Sequence, residues 1–222
     1  MKVELESRAL RARVAVRLWG PTAARPGPLP LLLVHDGSDY ARRAGLLRLL
    51  PALPPVRAAL VDPVEREEHY AAAARYTRAL TEELLPTLDA GGPRVGLGAS
   101  LGALALLHAH RTTPASLDAL LLQSGSFFRR ATDPQERGFH RFARIDRFVG
   151  AVLSAGGAAR TIPVTITCAS DEENFENNRV VAAALERQGY DVRFHVHTGG
   201  HTWPAWKRAL EPHLEELLCR VI

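Results

Sequence analysis

Lysine is nearly missing from this chain: of its 28 basic side chains, all but Lys2 and Lys207 are arginine. A phosphate-cradling P-loop needs Gly-Lys followed by Ser or Thr, so that nucleotide-binding class is excluded. Cysteine is equally scarce. Cys168 and Cys219 show neither metal-type nor redox-type spacing, which excludes a cysteine metal site and makes a reducing, cytoplasmic setting the expectation. No apolar run reaches the roughly 20 residues that a membrane-spanning helix needs. The first residues, Met1 to Glu6, alternate charged with apolar, unlike a secretion signal. Internal repeats and low-complexity linkers are missing as well. The 222 residues therefore read as one domain, 1–222, large enough for a single sizeable core.

The net charge is +4 and the pI about 9.5. Basic residues are dispersed, except for Arg129, Arg130, Arg137, Arg141, Arg144 and Arg147. That stretch could meet nucleic acid or an anionic substrate, but it matches no aromatic-interleaved nucleic-acid-binding motif. A solvated surface segment is the simpler reading, and no nucleic-acid partner is expected.

Apolar and polar residues alternate over Val3–Leu5 and Val14–Leu18, as in half-buried strands that pair antiparallel. A Pro/Gly loop covers 20–30. Leu31–Val34, Val56–Val61, Arg94–Leu97, Leu117–Gln123, Ile162–Cys168 and Val192–Val196 read as further strands, most of them continuous apolar runs suited to burial on both faces. Between them fall helical patterns: Arg42–Leu50, stopped by Pro51; Ala71–Leu88; Leu101–His110; Phe142–Leu153; Asn177–Gln188, closed by Gly189; and Trp203–Leu218, with Thr202 as N-cap and Pro204 in the first turn. Residues 65–70 read as a polar loop and 127–140 as an irregular segment covering a site. Such alternation specifies an α/β fold: a mostly parallel central sheet with helices on both faces and an antiparallel N-terminal strand pair. Ligands bind such sheets at the carboxyl ends of the strands. Asp36, the 66–70 loop, Ser100, Ser124, Asp171 to Glu173 and His201 all fall there.

Gly98-Ala99-Ser100-Leu101-Gly102 is a G-x-S-x-G between a strand-like and a helix-like run. A serine at a sharp strand-to-helix turn needs small neighbours, and the following helix points N–H groups at the place where an oxyanion forms. The same glycines could simply make a tight turn. A dinucleotide fingerprint starting at Gly96 would need Gly or Ala where Leu101 stands. A serine hydroxyl is a weak nucleophile; it needs a base, and the base needs an acid to fix its tautomer. Ser100, then a carboxylate among Asp171, Glu172 and Glu173, then His201 after Gly199-Gly200, follow the α/β-hydrolase order of nucleophile, acid and histidine. His201 could instead cap the last helix, and the acidic run could be the first turn of one. Two backbone N–H groups would form the oxyanion hole: Leu101 and one from Asp36 or Gly37. His195 and His197 share a strand face and could ligate a metal, but no third ligand stands at useful spacing, so no metal is expected. His108 and His110 read as packing or surface groups, and His35 as structural.

Together, Leu33-Val34-His35-Asp36-Gly37, the Ser100 pentapeptide, Glu172-Glu173-Asn174 and Gly199-Gly200-His201-Thr202-Trp203 with Trp206 resemble the putative-esterase family of α/β-hydrolases, its esterase D and enterochelin-esterase-like members above all. The resemblance runs from about Ser7 into the last helix. It implies the α/β-hydrolase fold and a serine carboxylesterase without cofactor. It puts the triad acid at Glu172, with Asp171 as runner-up. It also implies that Arg66, Glu68 and Tyr70 line the substrate side, together with Ser124 and Trp203. Two departures stand against siderophore hydrolysis in particular: Thr202 replaces a frequent Asp, and only about thirty residues precede Leu31, too few for an N-terminal domain. The expected activity is hydrolysis of a small-molecule ester through an acyl-enzyme. An acyltransferase on the same scaffold, or a binding protein that keeps the fold without the chemistry, are the alternatives. No membrane partner is expected, and no pattern specifies an oligomer.

Overall fold

The computed structural model describes residues 1–21, 28–88 and 91–221; of the Pro/Gly loop, 22–27 lie outside the described residues. In chain order it comprises β1 (Lys2–Ser7), β2 (Ala12–Trp19), β3 (Leu31–His35), α1 (Gly37–Arg42), α2 (Leu46–Leu49), β4 (Arg57–Val61), α3 (Arg66–His69), α4 (Ala74–Arg78), a π-helical stretch (Ala79–Leu84) and α5 (Leu85–Leu88). There follow β5 (Arg94–Ala99), α6 (Leu101–Thr112), β6 (Ala119–Gln123), α7 (Phe142–Ser154), β7 (Pro163–Ala169), α8 (Phe175–Arg187), β8 (Asp191–His197) and α9 (Trp203–Cys219). The strands form one sheet in the order β1-β2-β4-β3-β5-β6-β7-β8. β2 runs antiparallel to β1 and β4; every pairing from β4 to β8 is parallel.

All residues of β3 and β6 are buried, which is why they read as unbroken apolar runs. The two sheet faces bury separate cores. Leu46, Leu50, Trp206, Leu210, Leu214 and Leu217 cover one face through α2 and α9. Leu80, Leu84, Leu104, Leu107, Ile145, Val181 and Leu185 cover the other through the central and later helices. This is the three-layer arrangement expected from the alternation of elements.

Several expected boundaries differ. The single helix expected over Arg42–Leu50 is two. α1 already begins at Gly37, and Gly45, at φ 71, takes the left-handed conformation that separates it from α2. Pro51 does not end α2 but sits in a 3₁₀ turn, Leu50–Ala52, where its missing N–H has no ladder partner to lose. The polar 65–70 loop contains the short helix α3. The helix expected from Ala71 starts at Ala74, after Ala72 at φ 53, and widens to π-helix ahead of Pro86. In a regular α-helix the Pro86 ring would collide with the carbonyl four residues back, and a widened turn makes room for it. Gly189 follows α8 at φ 90, as a terminal glycine should, and the Thr202 hydroxyl accepts from the Ala205 N–H at the start of α9.

Candidate active site

At the carboxyl end of β5 the chain turns into α6 through Ser100, at φ 56 and ψ −123. A non-glycine residue in that region costs on the order of 1–3 kcal/mol, so surrounding contacts must hold it there. The Ser100 N–H donates to the Gln123 carbonyl at 2.9 Å, and the Ser100 carbonyl accepts from Ser126 N–H at 3.2 Å. The small residues of the pentapeptide are a packing requirement. A Cβ on Gly98 would lie 2.7 Å from the Gly102 carbonyl carbon, and one on Gly102 would lie 3.2 Å from both the His35 side chain and an Asp36 carboxylate oxygen.

The wall beside the elbow is buried and cross-braced. His35 is fully buried; because a carbonyl only accepts, its Nδ1–H donates to Gly102 O at 3.0 Å, and Nε2 accepts from the Tyr76 hydroxyl at 2.8 Å. Burial, with the Arg66 charge adding to it, pushes the His35 pKa down to about 4, against the upward pull of the Gly102 bond. Asp36 is left-handed, at φ 52, and its carboxylate is gripped by Arg66 through two 2.8 Å bonds. The expected oxyanion loop, Asp36–Gly37, therefore lies against the first turn of α6. The N–H groups of that turn, beginning at Leu101, have no intrahelical acceptors. Gly37 is forced: a Cβ there would meet Leu60 backbone at 2.5 Å.

Opposite the elbow stands the acid–base pair. Glu172 Oε2 and His201 Nδ1 are 2.8 Å apart. Oε1 of the same carboxylate accepts from Ser124 Oγ at 2.6 Å and from Ala169 N–H at 3.0 Å. Burial alone would raise the Glu172 pKa; the bonds from His201, Ser124 and Ala169 outweigh it and hold the carboxyl below its ordinary value. Asp171 occupies a different position. It is exposed, and accepts from the N–H groups of Gly200 at 3.1 Å and Gly199 at 3.2 Å, bonds that lower its pKa and brace the histidine loop from outside.

Ser100, Glu172 and His201 line one cavity of about 490 Å³, shared with Ser126, Phe128, Asp133, Gln135, Glu136, Asp171, Glu173 and Asn174. In it the Ser100 hydroxyl bonds to Ser126 Oγ at 2.9 Å. The residues expected to line the substrate side fall elsewhere. Tyr70 is fully buried, stacked on His35 with ring centroids 4.5 Å apart. Ser124 is buried, accepting from Trp206 Nε1 at 2.9 Å while it donates to Glu172, so it orients the acid. Trp203 packs edge-on to Tyr40 and Trp206, under Arg43. Glu68 is held by Arg141 and Arg144, which also answers how two of the clustered arginines are used; Arg130 pairs with Asp146. Arg66 grips Asp36. The 127–140 segment, expected to cover a site, supplies Phe128, Asp133, Gln135 and Glu136 to the cavity; Ser126 and the individual acids were not singled out from the sequence. The signal available was the Ser124-Gly125-Ser126 run at a strand's carboxyl end, where Ser124 has φ 47 and Asn174 and Asn178 pin Gly125 O at 3.1 and 2.9 Å.

Comparison with known proteins gives the family and the fold. The family model described as putative esterase matches residues 7–217. The chain is 27% identical over 219 residues to the iron(III) enterobactin esterase of Dickeya dadantii, covering 87% of this chain and 49% of that protein. It thus spans about half the length of that relative. The enterobactin esterase FES of Shigella flexneri, solved with enterobactin, superposes with a TM-score of 0.83 at 20% identity, over 100% of this chain and 59% of that one. A ferulic acid esterase superposes with a TM-score of 0.79 at 18% identity, over 100% and 97%. The sheet is thus of the α/β-hydrolase type that these esterases share.

Proposed function

The chain belongs to the putative-esterase family, and from that premise we propose that it is a serine carboxylesterase whose triad is Ser100, His201 and Glu172. The observation that carries the reading is the 2.8 Å contact between His201 and a buried carboxylate, in one cavity with a serine held at a strained strand-to-helix turn. Glu172 is acceptor-only, so it keeps the proton of His201 on Nδ1 and leaves the Nε2 lone pair as base. Ser100 turns its hydroxyl from Ser126 to His201 and attacks the ester carbonyl as His201 Nε2 takes its proton. The oxyanion accepts from Leu101 N–H and from the Asp36–Gly37 loop. His201 then protonates the leaving alcohol, and water, deprotonated in turn by His201, releases the acid.

The cavity also speaks to the substrate. Its lining carries Asp133, Glu136, Asp171, Glu172 and Glu173 but neither lysine nor arginine. Burial first, then Glu173 and Asp133, raise the pKa of Glu136. A neutral or cationic ester suits such walls, and an anionic acyl group does not. Enterobactin is not carried over, because the chain spans only about half of the relative named for it.

The test is hydrolysis of a p-nitrophenyl ester series, acetate to octanoate plus a succinate monoester, by wild type and Ser100→Ala. Loss of at least about a thousandfold in the variant is expected, as is weaker turnover of the succinate ester. Equal rates for wild type and variant would overturn the reading.

A further inference from the structure

β8 and α9, at the sheet edge three strands from β5, bring together side chains that the proposed triad does not use. His195 of β8 and His213 of α9 stack with ring centroids 3.8 Å apart. Glu216, one turn on in α9, places Oε2 at 3.9 Å from His195 Nε2 and at 3.9 Å from His213 Nδ1. One ligand-type atom from each of the three lies within 4.8 Å of those of the others. The other Glu216 oxygen, Oε1, is taken by Arg193, which fixes the carboxylate and leaves Oε2 facing the imidazoles.

His195 Nε2 is shielded from water and has no hydrogen-bond partner, and the same is true of His197 Nε2 two residues along the same strand face. The Nδ1 of His197 lies 3.3 Å from the Thr198 carbonyl; since a carbonyl only accepts, this proton sits on Nδ1 and Nε2 carries a bare lone pair. Buried polar atoms without partners are rare in folded proteins and call for an explanation.

We propose that His195, His213 and Glu216 form a binding site for a divalent transition-metal ion of the zinc class, with the fourth position left to water. The ion would join two imidazoles and one carboxylate, the borderline ligand set that zinc favours, at about 2.0–2.2 Å from each. The stacked rings must open for both lone pairs to converge, a rotation about their side-chain torsions. Among the described residues, Arg193 is the cation paired with the cluster; it takes Oε1 and leaves Oε2 as the carboxylate oxygen open to the metal.

The position has a consequence. β8 ends at His197 and α9 starts at Trp203, and the five residues between them include His201. An ion bridging β8 to α9 clips together the two elements that carry this loop. The site is independent of the triad assignment: it needs only the two elements to lie as they do.

The experiment is titration of chelator-treated protein with zinc chloride, read by calorimetry and thermal melting, followed by cobalt(II) absorption. Wild type is expected to bind one ion, to melt at a higher temperature with zinc, and to give the intense d–d absorption of four-coordinate cobalt. His195→Ala/His213→Ala should lose the calorimetric signal and the melting shift. Glu216→Gln, a milder change that keeps shape, should weaken zinc binding at least tenfold. Unchanged stoichiometric binding in the double variant, or no saturable binding by wild type, would overturn the site.

Discussion

The two walls of the cavity are built by opposite means. On the nucleophile side, Ser100, His35, Asp36 and Gly102 are fixed by backbone turns and by buried groups that satisfy one another, with His35 wholly inaccessible. On the base side, His201 has 42% of its side chain exposed and sits on a loop braced from solvent by Asp171. Only its anchor, Glu172, is buried. The nucleophile is thus placed by covalent geometry and packing, which leave few degrees of freedom. His201 is placed by a handful of removable hydrogen bonds, a freedom that the proposed base needs in order to serve serine, leaving group and water in succession.

Glu172→Gln cuts the base side at its anchor and should have the largest effect. The amide can donate to His201 and so favours the wrong tautomer; hydrolysis should fall by about a thousand- to ten-thousandfold with folding retained, measured as kcat/KM beside circular dichroism. A drop below about tenfold would mean that the two walls do not divide the work as described.

Acid should attack the other wall. His35 is neutral in the fold, its pKa pushed to about 4, whereas the unfolded chain has the ordinary value of about 6.5. Between those values the unfolded chain binds a proton that the fold refuses. Stability is therefore fully present above about pH 6.5 and drains as pH falls toward 4, by up to about 3 kcal/mol from this residue. Burial also lowers His108 and His110 to about 4, with the same sign. Melting temperatures from pH 8 to 4.5 should fall steadily through this window. His35→Gln should flatten part of that slope, and a flat profile in wild type would refute the account.

Asp171→Ala should have the smallest effect. Its bonds are exposed and removable, so kcat should fall only about three- to tenfold with KM nearly constant. Asp171→Asn, which keeps an acceptor, should restore most of it. A loss as large as that of Glu172→Gln would make Asp171 the anchor instead.

These contrasts mark what the sequence could disclose. Continuous apolar runs such as Leu31–Val34 and Leu117–Gln123 announced the buried strands, because a strand covered on both faces must be apolar throughout. That Ser100, Glu172 and His201 would meet in one cavity was legible because their chain order and their places after strands are one-dimensional facts. The direction of a loop side chain is not. Tyr70 and Ser124 sit where substrate-facing residues should be, yet both point into the protein, Tyr70 onto His35 and Ser124 between Glu172 and Trp206. Ser126 was legible only as part of the Ser124-Gly125-Ser126 run at a strand's carboxyl end; which of the two serines faces the cavity is not written in that spacing. The His195–His213 pair could not be seen either, since the partner for the strand histidines comes from a helix that crosses back over the sheet only in three dimensions.

The segment between β6 and α7 supplies Ser126, Phe128, Asp133, Gln135 and Glu136 to the cavity, while the triad histidine and acid come from beyond β7. In the proposed reading, the cavity wall that would meet the substrate is therefore largely one continuous piece of chain, separable from the triad. A short cassette can be exchanged at that point without disturbing the engine beneath it, which makes this stretch the natural place for a new diet to evolve or to be grafted.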